Sequence, residues 1–73
     1  LAGSDEPEVE ALRGLIEQER GRYDEAIRLL ESAVSRMRGR AADDGVAFKA
    51  RLDLANVLRL SGRMDDGLRV LDE

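Results

Sequence analysis

The chain contains no cysteine, histidine or tryptophan. Lacking cysteine, it can form neither a disulfide nor a reactive thiolate. Lacking histidine as well, it has no imidazole base and cannot build a zinc finger on Cys and His ligands. Tyr23 and Phe48 are the only aromatics, too few for a base-stacking surface. Threonine is absent, and the β-branched residues reduce to Val9, Ile16, Ile27, Val34, Val46, Val57 and Val70, which disfavours sheet. No apolar run approaches the ~20 residues that cross a bilayer. No basic start leads into an apolar stretch, so no signal peptide is expected. No membrane partner is therefore expected, and cytoplasm is the default location.

What remains is rich in Ala, Leu, Arg and Glu, all strong helix formers. The expected class is all-α. With 73 residues there is room for one small domain, which buries only roughly 60 % of its unfolded surface and gains from a neighbour. At 42 % apolar residues the chain is too hydrophobic for a disordered segment. Its 12 basic and 16 acidic residues leave a net charge of −4, which argues against a nucleic-acid partner. Arg28, Arg36, Arg38 and Arg40 make a local basic stretch, but most of it falls near a helix end, where positive charge complements the macrodipole.

The spacing predicts four helices. The first starts near Asp5, with Asp5 and Glu8 at capping-box spacing and Pro7 in the first turn. It carries Val9, Leu12, Leu15 and Ile16 and stops at Gly21. The second opens on Asp24 and Glu25 and carries one long stripe, Ala26, Ile27, Leu30, Ala33, Val34, Met37 and Ala41. Asp43 or Asp44 caps the third, which sets Val46, Ala50, Leu54, Val57 and Leu58 on one face, with Leu52 and Leu60 to one side. Gly62 ends it. A fourth begins around Met64–Asp65 and carries Leu68 and Leu71. Residues 1–4 are expected to lie outside the fold, as a cloning remnant or disordered tail.

The segment Gly21–Glu31 aligns without gaps onto Gly62–Asp72, with five of 11 positions identical at an offset of 62 − 21 = 41 residues. Upstream, Val9 maps to Ala50, Gly14 to Ala55 and Ile16 to Val57. Each identity has a use: the glycine turns the chain, the aspartate sits in a helix first turn, and Asp24–Arg28 and Asp65–Arg69 are acid-first i,i+4 pairs. The unit is an antiparallel helix–turn–helix used about one and a half to two times. Residues 5–42 make the first unit and 43–73 an incomplete second.

This pattern resembles the tetratricopeptide repeat, roughly W-x2-L-G-x2-Y, a glycine turn, then A-x3-F-x2-A. Leu54-Ala55, Leu58, Gly62, Gly67 and Leu71 stand at its places in the second unit; Gly14, Gly21, Ala26, Leu30 and Ala33 do so in the first. Arg13 and Glu17 depart from it, and the offset exceeds the usual ~34. The resemblance implies right-handed superhelical stacking of hairpins and a non-catalytic scaffold that receives a peptide or helix of a partner protein. Carried over, the groove draws on Ala11, Leu15, Gln18, Leu52, Asn56 and Arg59. One subtype grips a carboxylate with Lys, Asn and Arg. Lys49, Asn56 and Arg59 offer those types, but Leu12 and Leu15 stand where the first unit would need Lys and Asn, so no clamp is expected.

A hairpin of this kind cannot bury its apolar face alone. Flanking repeats or a second copy are expected to cover it, the latter as a homodimer pairing Leu54, Leu58, Leu68 and Leu71. No enzyme is expected. Asp43–Asp44 and Asp65–Asp66 are adjacent on helices and point apart, and Ser4, Ser32, Ser35 and Ser61 have no histidine to activate them. The glycines form no phosphate-binding loop and the acidic residues no EF-hand, so no cofactor or metal is expected.

Overall fold

A computed structural model describes residues 6–39, 44–63 and 69–70. They form three helices, α1 (Pro7–Glu19), α2 (Tyr23–Arg36) and α3 (Gly45–Leu60), with no strand among the described residues. Arg69 and Val70 are helical, and Val70 packs on the core. The rest of the predicted fourth helix, with Leu68 and Leu71, lies outside the described residues, as do Asp5, Arg40, Ala41 and Asp43.

The helix ends follow the local chemistry. Pro7 occupies the start of α1, where its missing N–H costs nothing. Glu6 stands at the N-cap but makes no side-chain capping bond. At α3, Asp44 caps in full: its Oδ1 accepts from the Val46 and Ala47 amides at 2.9 and 3.2 Å.

Both glycine turns are built alike. Gly21 and Gly62 have φ of 78° and 88°, the left-handed region that excludes most side chains. The Gly21 amide donates to Gln18 and the Arg22 amide to Glu17; 41 residues on, Gly62 donates to Arg59 and Arg63 to Leu58. These paired bonds are the Schellman stop. Around the first turn Glu17 lies 3.5 Å from Arg20 and 3.6 Å from Arg22.

The core lies between α2 and α3. The α2 stripe Ala26, Ile27, Leu30, Ala33, Val34 and Met37 packs against Ala50, Leu54, Val57 and Leu58. The helix ends at Arg36, earlier than the predicted stripe, with Met37 at its cap. Helix α1 joins α2 differently. Its one buried residue is Gly14, and a Cβ there would meet Leu30 Cγ at 2.7 Å, so the two backbones approach as closely as glycine allows. Arg36 at the end of α2 reaches Glu10 on α1 at 3.1 Å.

Three expectations change. Val9, Leu12, Leu15 and Ile16 do share a stripe, but Leu12 and Ile16 stay 59 % and 52 % exposed, because Gly14 and not the stripe meets α2. Val46 also stays exposed, one turn before the covered part of α3. Arg28 pairs with Glu25 and not Asp24; that bond is the main reason the Glu25 carboxyl is held below its ordinary range.

Candidate functional site

Helices α1 and α3 touch only lightly. Between them opens a cleft of 240 Å³, whose walls are Glu8, Ala11, Leu12 and Leu15 on α1, and Val46, Lys49, Ala50 and Asp53 on α3. Each wall runs i, i+3, i+4, i+7, one face of a helix. The floor is aliphatic and the charges stand at the rim, where Lys49 Nζ lies 3.0 Å from Asp53. Such a trough suits an apolar side chain in a small pocket whose few polar groups fix its orientation.

The predicted groove residues divide. Ala11 and Leu15 line the cleft. Gln18 is half-buried near the end of α1. Leu52, Asn56 and Arg59 sit on α3 outside the cleft walls, and Asn56 Oδ1 accepts from Arg59 Nη2 at 2.6 Å. Lys49 is taken up by Asp53, so the three residue types that could mimic a carboxylate clamp do not converge on one point. Glu8, Leu12, Val46, Lys49, Ala50 and Asp53 were missed. Their signal was the repeated i, i+3, i+4, i+7 spacing, which runs three residues out of step with the 41-residue offset (46 − 8 = 38).

The proposed self-association face needs correction too. Leu54 and Leu58 are buried against α2 and form no open face. They reach only the floor of a second cleft, of 290 Å³, rimmed by Arg38, Arg63 and Arg69.

Among the described residues no group of three His, Cys, Asp or Glu could hold a metal ion, and no helix is long and apolar enough to cross a membrane. A family model described as tetratricopeptide repeat matches residues 17–73, most of the chain. This chain belongs to the tetratricopeptide repeat family. The match covers the last turn of α1, all of α2 and α3, and the segment that follows. No curated protein and no solved structure matched the chain. Tetratricopeptide repeats typically serve as non-catalytic modules of protein–protein interaction, and the duplicated Gly21 and Gly62 turns are the hairpin signature of this one.

Proposed function

We propose that this tetratricopeptide repeat is a non-catalytic interaction module that receives an apolar side chain, on a peptide or helix of a partner protein, in the cleft between α1 and α3. The observation that supports it is the aliphatic lining of that cleft, Ala11, Leu12, Leu15, Val46 and Ala50, in which the exposed Leu12 and Val46 flank the buried Ala50. Burying one Leu- or Phe-sized side chain there contributes about 1.5–3 kcal/mol, enough to anchor a short segment but not to hold it tightly. The exposed position of Val46 makes it a safe probe of binding, separate from folding.

The test is selection of a phage-displayed random peptide library on the 73-residue chain, followed by titration of the enriched peptides on Val46→Asp. Enriched peptides should share a large aliphatic residue and lose about tenfold or more in affinity on the variant, an amount equal to about 1.4 kcal/mol. Peptides that bind Val46→Asp as well as the parent would move the binding surface elsewhere.

A further inference from the structure

The second cleft shares no residue with the first. The α1–α3 cleft takes nothing from α2, and this one takes nothing from α1. Glu31, Val34 and Arg38 line it from α2, and Leu54 and Leu58 from α3. Arg63, Arg69 and Val70 complete it. The chain carries a net charge of −4, yet this cleft gathers three arginines and one glutamate, a local charge of +2. The macrodipole accounts for one cation after each helix, Arg38 after α2 and Arg63 after α3. It does not account for their meeting, with Arg69, over one cavity. The helix stops hold two of them in place: the Arg38 amide donates to the Ser35 carbonyl at 3.3 Å and the Arg63 amide to the Leu58 carbonyl at 2.7 Å. In the first unit the counterpart of Arg63 is Arg22, which lies 3.6 Å from Glu17. In the second unit Leu58 stands at the place of Glu17, and it is buried and lines the cleft instead.

We infer that this cleft binds a phosphate monoester. Such an ester carries about −1.5 to −2 charges at pH 7, which matches the local charge, and its three free oxygens suit the planar forks of guanidinium groups. A carboxylate offers the same three arginines one charge and two oxygens. All three arginines are already engaged with other groups of the chain, but each guanidinium has five N–H donors and serves more than one acceptor. Val34, Leu54 and Leu58 are buried and keep water away from one side of the site, which strengthens hydrogen bonds to an anion held there. At 290 Å³ the cleft stands at the lower limit of ligand pockets, about 300 Å³, so it takes the phosphate and the atoms next to it and not an extended molecule. The site is separate from the α1–α3 cleft, so either can be lost without the other.

The experiment is an amide NMR titration of the 73-residue chain with N-acetyl-phosphoserine amide, with a short phosphoserine peptide of otherwise neutral residues, and with acetate at matched ionic strength. The phosphoserine amide should shift the Val34, Leu58, Arg63 and Val70 signals and saturate by about 10 mM, whereas acetate should need at least about tenfold more. Arg63→Gln and Arg69→Gln should each weaken the phosphoserine amide by about tenfold, the factor that one hydrogen bond to a charged group contributes. Arg13→Gln, at an exposed arginine of α1 outside the cleft, should leave binding unchanged. Circular dichroism checks that each variant keeps its helices, and the acetate comparison on wild type decides without any variant. A peptide that binds more tightly than the free phosphoserine amide assigns the ester to a phosphorylated segment of a partner protein. Equal affinity assigns it to a small phosphorylated molecule. Shifts that do not saturate, that acetate reproduces at the same concentration, or that survive both cleft substitutions overturn the inference.

Discussion

Helices α1 and α3 occupy the same place in two copies of one design, and they are buried very differently. Each ends in a glycine turn with the same two backbone bonds. Helix α3 buries Ala50, Leu54, Ala55, Val57 and Leu58, whereas α1 buries Gly14 alone. Part of the difference is composition. Arg13 and Glu17 stand where α3 has Leu54 and Leu58, so α1 meets its surroundings with charge where α3 meets them with leucine. The other part is position. Helix α3 has α2 of the preceding hairpin to lie on, and α1 has no counterpart among the described residues. In a repeat, then, a residue's place in the unit determines the direction it faces, and its neighbours determine whether that direction is dry.

The largest test of the comparison is Leu58→Ala against Glu17→Ala. Leu58 is fully enclosed, and its truncation should cost about 2–5 kcal/mol in urea unfolding. Total stability for a chain of this size is only about 5–10 kcal/mol, so that variant stands near the edge of folding. Glu17, whose side chain is only 16 % exposed, pairs at 3.5 and 3.6 Å with two exposed arginines, and its loss should cost less than about 1 kcal/mol. Equal costs would mean that α1 is held as α3 is.

Gly14→Ala comes next. Leu30 Cγ cannot yield easily, since Leu30 is itself fully buried. Overpacking of about 1–3 kcal/mol is offset by up to about 1 kcal/mol of helix propensity. The net loss should be about 1–2 kcal/mol, read as a fall in Tm of roughly 4–16 °C. A rise in Tm would show that α1 rides further from α2 than the glycine implies.

The smallest effect separates the two helix starts. Asp44→Ala removes two bonds to backbone amides and should cost about 1 kcal/mol, whereas Glu6→Ala removes no capping bond and should change the midpoint hardly at all.

Much of the fold was legible in the sequence because its signals are local. The Gly21 and Gly62 stops, the Asp44 cap, Pro7 at the helix start and the α2 stripe each depend on a few adjacent residues. The α1 stripe shows the limit. Periodicity groups Val9, Leu12, Leu15 and Ile16 on one face but is silent about what lies over it. The candidate site was half legible for a related reason. Ala11 and Leu15 do line the cleft, but carrying the same positions to Leu52, Asn56 and Arg59 assumed that both first helices have the same neighbours. They do not. The facing wall comes from an adjacent face of α3, three residues out of step with the repeat.

The close seating of Gly14 on α2 has a consequence for how the molecule breathes. Helix α1 is seated on α2 at Gly14, with Ala11 against the core and the Arg36–Glu10 pair toward its start. Gly14 is its one buried residue, so lifting it away uncovers α2 side chains such as Leu30 more than any of its own. Amide protons of α1 should therefore exchange with solvent by a local opening that leaves α2 and α3 together, while those of α2 wait for the whole chain to come apart.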